Sequence, residues 1–370
     1  RRLHVDGPCT RATLAADLGL NRSTIKAVVD GLAEAGVVSE AIPSRRTGVG
    51  RPSLMVLPHA ESAVVLAVDV RVEQVVMSMV GLGRHSWNLR QATRTAGEVI
   101  MHVAESAQLM AEELAIPLAG AGVSVPGIVR RDDGLVREAH NLQWSDIALG
   151  SRLSALLEVP VQVANDAEMG ALAEHVRGIG RGVADVVFIS AGKDVGGGVI
   201  SAGRLLRGTR GYFGELGHLV VRPAGRSCYC GSQGCWETEV GEQALYRALG
   251  MPEDTPRGVV VAQLRSLETA PMSGPLDEFA EWLATGLITI VNMMGPGLVV
   301  LGDLFTALPP AVIDHVRELV HERSMISRAI GGTRIETSPF GCDAKLVGAA
   351  ELAFEPVLKE LASEHAEDTY

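Results

Sequence analysis

The sequence predicts an α/β protein with two lobes that follow a small α+β module at the N-terminus. From about residue 60 onward, short aliphatic runs bounded by Gly, Pro or Asp alternate with amphipathic stretches, which is typical of strands and helices in covered sheets. The chain has 370 residues, more than one small core accommodates. Hydrophobic residues make up 47% and there are 42 glycines, which favours α/β cores with many tight loops over a helical bundle.

The individual elements follow from these patterns. Strands are predicted where aliphatic residues run together, at 64–70, 75–80, 119–125, 159–163, 186–189 and 298–301. Helices are predicted at about 96–115, 146–157, 166–177, 236–249, 276–294, 309–323 and 345–363. The length of this region predicts two lobes with a ligand cleft between them.

Composition narrows the class of protein. There is no run of about 18 apolar residues and no signal-peptide pattern, so we expect no membrane partner. The five cysteines are an odd number and three of them lie within residues 228–235, which favours a metal site over a disulfide framework. A cytoplasmic location is therefore expected.

Charge is distributed unevenly along the chain. Residues 1–52 contain eight Lys or Arg and five acidic residues, a net charge of +3, which leaves −14 for the rest of a chain whose total is −11. This asymmetry favours a DNA-facing module attached to an acidic body that phosphates repel.

The N-terminal module has the pattern of a winged helix-turn-helix. Thr10 is placed to begin one helix and Gly19 to end it, while Asn21 is placed to cap a second helix that ends at Gly36. The apolar faces of the two helices are Leu14, Ala15 and Leu18, and Ile25, Val28, Val29 and Leu32. Strands at 37–38 and 54–57 flank a basic loop that we interpret as the wing.

In a helix-turn-helix the start of the second helix enters the major groove of double-stranded DNA. The residues predicted to contact DNA there carry hydrogen-bonding side chains: Asn21, Arg22, Ser23, Thr24 and Lys26. The wing adds Arg45, Arg46 and Arg51. The alternative is a small helical bundle that packs on the next domain or forms a dimer contact; the basic loop directly after the second helix favours DNA.

The strongest chemical signal is a metal-binding pattern in one loop. His218, Cys228, Cys230 and Cys235 supply an imidazole and three thiolates, the four ligands that tetrahedral zinc requires. Because four protein ligands close the coordination shell, we predict a structural Zn²⁺ site. Free clustered thiols are the alternative, and exposed thiols without a metal would be prone to oxidation.

Three carboxylates form a second signal. Asp166 follows a short predicted strand and Asn165 at the start of a helix, where it could act as a base or accept a hydroxyl, or simply cap the helix. Glu215 and Glu237 flank the proposed zinc ligands. Together these carboxylates could bind sugar hydroxyls, although each alone could be a solvated surface acid.

These residues together resemble the signatures of the ROK family of repressors, open reading frames and sugar kinases. The metal-side motif is Glu215-x-x-His218 followed by Cys228-Tyr-Cys230-Gly231-x-x-Gly234-Cys235-x-Glu237. The sugar-side motifs are Val123-x-Val125-Pro126-Gly127, Asn141-Leu-x-Trp144 and Val163-x-Asn165-Asp166-Ala167. The winged N-terminal module, with Thr47-Gly-x-Gly50-Arg51-Pro52 leading into the body, resembles the repressor branch of the family. The kinases of the family lack such a module.

The resemblance implies an actin-like, hexokinase-type two-lobed ATPase fold preceded by the α+β winged helix-turn-helix. The expected domains are 1–57 for DNA binding, 58–165 for the first lobe, and 166–370 for the second lobe with a zinc loop at 218–237. The final helix is expected to return to the first lobe. The implied sugar contacts are Gly127, Asn165, Asp166, Glu215, His218 and Glu237. Asp166 occupies the position of the kinases' catalytic base, and His218 would serve both zinc and sugar.

Departures from the family pattern lie on the nucleotide side. The kinases resemble Asp-x-Gly-Gly-Thr where this chain has Asp69-Val70-Arg71-Val72-Glu73. Asp194 stands where a phosphate loop needs glycine, and Gly302-Asp303 replaces a Gly-Gly pair. A carboxylate ~4 Å from a phosphate repels it by about 1–4 kcal/mol, depending on the local dielectric. We therefore expect that kinase activity is lost and that the protein is not an enzyme.

These observations predict a sugar-responsive transcriptional regulator, most simply a repressor of carbohydrate metabolism. A sugar or sugar phosphate would shift lobe closure in a homodimer or homotetramer and so change the spacing of its DNA-binding modules. The sequence leaves open whether the ligand releases or promotes DNA binding. The alternatives are a sugar kinase that also binds DNA, a regulator whose input is another protein, and a role for Arg71 in receiving the phosphate of a 6-phosphorylated sugar.

Overall fold

The computed structural model describes residues 1–42, 54–83, 86–92, 95–268 and 274–363. Within them the body is a mixed α/β fold of two lobes, each built on a five-stranded sheet. A third, three-stranded sheet belongs to the N-terminal module. No helix in these ranges is long and apolar enough to cross a membrane.

The N-terminal module places two capped helices against a small antiparallel sheet. Thr10 and Asn21 cap α2 and α3 by accepting hydrogen bonds from the N–H groups of Thr13 and Thr24, and Gly19 ends α2 at a φ of 64°, as predicted. The sheet order is β1-β3-β2. The elements are α1 (Arg2–Asp6), β1 (Cys9–Thr10), α2 (Arg11–Leu18), α3 (Arg22–Glu34), β2 (Val38–Ala41) and β3 (Met55–Pro58).

Two residues assigned to the apolar faces of this module are not buried. Leu14, Ile25 and Val29 lie in its core, but Leu18 is 51% exposed and Val28 is 49% exposed. The body covers only one side of the module, so the outer edge of each helix faces solvent. The wing arginines Arg45, Arg46 and Arg51 lie outside the described residues.

The first lobe is built on a sheet whose order is β11-β7-β4-β5-β6. β4 pairs in parallel with β7, and β7 with β11, whereas β5 and β6 continue the sheet antiparallel. Strands β8, β9 and β10 form a small antiparallel sheet beside it. The elements are β4 (Val64–Val70), β5 (Gln74–Gly81), β6 (Ser86–Ala92), α4 (Ala96–Leu114), β7 (Leu118–Val125), β8 (Ile128–Arg130), β9 (Leu135–Ala139), β10 (Trp144–Ala148), α5 (Leu149–Leu157) and β11 (Val161–Asn165).

The second lobe is built on a sheet whose order is β14-β13-β12-β15-β16, with β12, β15 and β16 parallel. Its helices enclose a core around Trp236, Phe279 and Phe305. The elements are α6 (Asp166–Val176), β12 (Val186–Ala191), β13 (Val195–Ser201), β14 (Arg204–Leu205), α7 (Trp236–Val240), α8 (Glu242–Ala248), α9 (Arg257–Ser266), α10 (Pro275–Met294), β15 (Leu298–Asp303), α11 (Pro310–Arg323), α12 (Met325–Ala329), β16 (Arg334–Thr337) and α13 (Ala344–Ser363).

Two helix predictions need correction. The stretch 236–249 forms two helices, because Gly241 is extended (φ −75°, ψ −176°) and breaks the helix between α7 and α8. Residues 146–148 belong to strand β10, which pairs with β9, so α5 begins at Leu149. Helix α9 was not predicted; its hydrophobic residues Val260 and Leu264 are buried against the second lobe.

The carboxyl ends of the parallel strands of both sheets face one cleft, as is usual for ligand sites in α/β proteins. β4 ends beside Asp69, β11 ends at Asn165 and β15 ends at Asp303. α6 leads away from this cleft, and α13 packs alongside α6 and against β4 and β7. The domain boundaries at residues 57 and 165 remain predictions.

Candidate functional site

The four predicted metal ligands converge on one point. One ligand atom from each of His218, Cys228, Cys230 and Cys235 lies within 4.8 Å of the others. Cys228 Sγ is 3.6 Å from His218 Nδ1, and Cys230 Sγ is 3.6 Å from Cys235 Sγ. Thiolates about 2.3 Å from a tetrahedral zinc ion are about 3.8 Å apart, so the cluster fits zinc. The cluster can hold a metal ion.

The loop reaches this geometry through its backbone. Isolated bridges pair Val220 with Cys235 and Ser227 with Gln233, which fold the loop back on itself. Gly234 has a φ of +71°, and a Cβ there would lie 1.7 Å from the carbonyl oxygen of Arg222. Only glycine fits this turn, which brings Cys235 back to the other ligands.

Glu237 lies against the metal cluster, with Oε1 at 3.6 Å from His218 Nδ1. The Cys228 thiol donates to Glu237 Oε1 at 2.8 Å, and burial together with this hydrogen bond raises the pKa of the thiol. Glu237 Oε2 is buried and has no hydrogen-bond partner among the described residues. An unpartnered buried carboxylate oxygen is costly, and Oε2 keeps the capacity to accept a further hydrogen bond.

Asn165 holds the turn at Gly127 in place. Its side-chain oxygen accepts hydrogen bonds from the N–H groups of Ala167 and Glu168, and its Nδ2 donates to the carbonyl oxygen of Gly127 at 2.9 Å. Gly127 has a φ of +98°, and a Cβ there would lie 2.2 Å from the carbonyl oxygen of Glu138. Asn165 and Gly127, predicted separately, therefore form one hydrogen-bonded unit at the start of α6.

Tyr229 and His140 were not predicted, yet both lie at this site. Tyr229 Oη is 3.2 Å from His218 Nε2, and its ring stacks on His140 of the first lobe with centroids 4.3 Å apart. Glu215 lies near the same nitrogen, with Oε2 at 3.8 Å from His218 Nε2, and burial raises the pKa of Glu215. The position of Tyr229 between two cysteine ligands is the sequence signal that could have identified it.

Asp166 is not a free carboxylate. Lys345 of α13 donates to Asp166 Oδ2 at 2.5 Å, and the same ammonium group lies 3.2 Å from Asp303 Oδ2. Burial alone would lower the pKa of Lys345, but the charges of Asp166 and Asp303 outweigh burial and raise it. A general base must take a proton from the substrate, and here Asp166 Oδ2 already accepts a hydrogen bond from the ammonium group of Lys345.

The three carboxylates at positions that depart from the kinase motifs, Glu73, Asp194 and Asp303, line a cleft of about 220 Å³ together with Asp166 and Lys345. Asp303 also pairs with Arg257, whose Nη2 lies 2.7 Å from Oδ1. Asp194 Oδ2 accepts a hydrogen bond from Asn141 of the first lobe at 2.9 Å, and burial raises the pKa of Asp194. Acidic side chains and internal ion pairs therefore line this cleft.

The guanidinium group of Arg71 is hydrogen-bonded within the protein. Its Nε donates to buried Asp69 at 2.6 Å, and its Nη2 donates to the carbonyl oxygen of Cys342 at 2.8 Å. Burial raises the pKa of Asp69, and the charge of Arg71 opposes that shift. These contacts do not favour the hypothesis that Arg71 receives a sugar phosphate.

The ROK family model matches residues 65–355, most of the chain. The chain belongs to the ROK family. The Xylose repressor of Bacillus subtilis (strain 168) is 26% identical to this ROK protein over 359 residues, covering 95% of this chain and 93% of the repressor. The Glucokinase of Streptomyces coelicolor is 30% identical over 262 residues, covering 65% of this chain and 81% of the kinase.

A solved structure shares the fold over almost the whole chain. It is a ROK family transcriptional regulator described as a homologue of the E. coli MLC protein, with a TM-score of 0.74 and 22% identity. The match covers 94% of this chain and 92% of that one. It shows the actin-like two-lobed fold.

Proposed function

We propose that this ROK protein is a sugar-responsive transcriptional repressor that has no kinase activity. The observation that carries the proposal is a set of ion pairs in the cleft, in which Lys345 and Arg257 neutralise Asp166 and Asp303. These pairs occupy the space that a kinase needs for the phosphates of its nucleotide. The match to the xylose repressor over 95% of the chain supports it, because a match of that extent reaches beyond the two lobes into the N-terminal module.

The N-terminal module would bind double-stranded operator DNA as a winged helix-turn-helix. Asn21, Arg22, Ser23, Thr24 and Lys26 are all exposed at the start of α3. Asn21 caps the helix, so its neighbours are held at the end of α3 that would enter the major groove. Two such modules in a homodimer or homotetramer would read half-sites about one helical turn, or a multiple, apart.

The effector would be a small sugar or sugar phosphate bound between the lobes. Glu237 Oε2 is a buried acceptor with no hydrogen-bond partner among the described residues, and Gly127, Asn165, Glu215 and His218 would supply further contacts to the sugar. A structural zinc ion held by His218 and the three cysteines would fix the orientation of the imidazole that faces the sugar. The xylose repressors among its relatives make xylose the first sugar to test.

Kinase activity would fail for an electrostatic reason. Because Asp303 is paired with Lys345 and Arg257, repulsion of the ATP triphosphate would come from Asp194 and Glu73, which line the same cleft. A nucleotide would also have to break the pairs of Lys345 and Arg257. The second candidate, a sugar kinase that also binds DNA, is favoured by the 30% identity to the glucokinase.

Operator binding, sugar response and ATP turnover can be measured on one preparation. DNA selected from a random pool by the zinc-loaded protein would be titrated by fluorescence anisotropy with and without xylose, xylose 5-phosphate, glucose and glucose 6-phosphate. We expect one sugar to shift operator affinity at least fivefold, within the range of ordinary allosteric coupling. Steady ADP release with that sugar and Mg-ATP would favour the kinase. Absence of any selected DNA from a folded protein would refute the repressor.

A further inference from the structure

Two neighbouring helices run from the cleft to the N-terminal module. α6 begins at Asn165 and Asp166 in the cleft, and the residue that follows it, Arg177, contacts the module. α13 carries Lys345 in its first turn, and Phe354 further along is fully buried in the core of the module. Eleven helical residues at about 1.5 Å each place the two ends of α6 about 17 Å apart.

These helices are joined at both ends and in the middle. Lys345 pairs with Asp166 at the cleft, and Arg177 pairs with Glu351 at the far end at 2.7 Å. Between these pairs the helices touch at Gly348, where a Cβ would lie 1.9 Å from the carbonyl oxygen of Met169. Because close-packed helices joined in this way do not slide freely, a displacement at the cleft is carried to the far end.

Arg177 holds the first helix of the module. Its Nη1 donates to the carbonyl oxygens of His4 at 2.6 Å and of Val5 at 2.8 Å, two groups at the end of α1. The His4 ring lies against Phe354, with centroids 4.2 Å apart, and its Nε2 lies 3.3 Å from Glu351 Oε1. The side chain of Arg177 is only 3% exposed, so water cannot replace these contacts without the module moving.

We propose that Arg177 is a positioning residue that couples the orientation of the DNA-binding module to the state of the sugar cleft, through the paired helices α6 and α13. This inference rests on the proposed function. A sugar that engages Asn165 or Asp166 shifts the start of α6, and the shift reaches α1 through Arg177. A planar guanidinium with several fixed donors sets the orientation of the groups that it binds. Arg177 therefore sets the orientation of α1 through the carbonyl oxygens of His4 and Val5.

Two variants test the coupling without leaving a buried charge unpaired. Arg177→Lys keeps the charge but loses the fork that reaches Glu351 and two carbonyls together. The double variant Arg177→Met, Glu351→Gln removes both charges of the pair at once. Arg181→Met is the matched control, because Arg181 also pairs with α1, through Asp6, but is 49% exposed.

The readout is the factor by which sugar changes operator affinity, measured beside sugar affinity by calorimetry and the thermal midpoint. We expect both Arg177 variants to bind sugar within about twofold of wild type while the factor falls at least fivefold. Arg181→Met should keep the wild-type factor. Folded Arg177 variants that retain the full factor would overturn the proposal.

A second measurement needs neither sugar nor DNA, so it separates this inference from the proposed function. Asp166→Asn disturbs the cleft end of α6, and hydrogen exchange of residues 2–18 reports on the module. We expect Asp166→Asn to change this exchange in the wild-type background and to have at most half that effect in the Arg177→Lys background. An equal change in both backgrounds, or no change in either, would contradict the coupling even if operator binding is absent.

Discussion

Replacing Lys345 by methionine should strongly destabilise the fold. The ammonium group of Lys345 lies 2.5 Å from Asp166 Oδ2 and 3.2 Å from Asp303 Oδ2, and the charge of buried Asp69 also acts on it. Methionine has a similar length and no charge. Lys345→Met therefore leaves these buried carboxylates without the cation that neutralises them.

The expected cost follows from burial. Removing one partner of a buried ion pair costs about 3–5 kcal/mol, because an uncompensated charge stays in a medium of low dielectric. The side chain of Lys345 is 15% exposed and that of Asp303 is 11% exposed, so solvent screens the pair weakly. Arg257 still neutralises part of the charge of Asp303, which places the cost nearer the lower end of that range.

Urea unfolding followed by tryptophan fluorescence measures this cost, since Trp236 is fully buried in the second lobe. Lys359→Met on the same helix is the matched control. Lys359 pairs with Glu355 at 3.0 Å but is 74% exposed, and such surface pairs contribute about 0–1 kcal/mol.

Adding Asp166→Asn to Lys345→Met removes the carboxylate that lies nearest to the lost ammonium group and should recover part of the loss. If Lys345→Met changes the free energy of unfolding by no more than Lys359→Met does, the cleft is solvated and Lys345 does not neutralise it. Solvent would then also screen the repulsion between the carboxylates of the cleft and a triphosphate.

Three further outcomes are expected. Cys235→Ser should lose bound zinc, measured by elemental analysis, and lower the thermal midpoint; stoichiometric zinc at unchanged affinity would contradict the site. Tyr229→Phe frees His218 Nε2 and should tighten sugar binding by about 2–10-fold in calorimetry, the value of one hydrogen bond, whereas weaker binding would mean that the hydroxyl contacts the sugar. Burial lowers the pKa of the His4 imidazole in the folded protein below its ordinary 6.5. As the pH falls below 6.5, the unfolded chain therefore takes up a proton at His4 more readily than the folded protein does, and the free energy of unfolding decreases. The stability difference between wild type and His4→Gln should therefore narrow in acid, and a difference independent of pH would refute this.

Much of the fold was predictable because its signals are local. Continuous aliphatic runs identified β4, β7 and β12, and Thr10 and Asn21 cap the helices that they were expected to begin. The metal cluster was predictable for the same reason: its four ligands lie within 18 residues, in a loop whose glycines permit only a compact turn. The apolar pattern wrongly predicted that Val28 is buried. Periodicity identifies an apolar face of a helix, but it does not show which side of that helix the rest of the protein covers.

The cleft and the connection to the module were decided by tertiary structure alone. Lys345 meets Asp166 across 179 residues, and Arg177 meets His4 across 173 residues, and no local pattern indicates that these residues pair. Sequence comparison with the family motifs identified Asp194 and Asp303 as departures, but not the cations that neutralise this cleft. Motifs close in sequence are determined by backbone geometry, whereas pairs of buried charges arise only when packing brings distant segments together and removes water from between them.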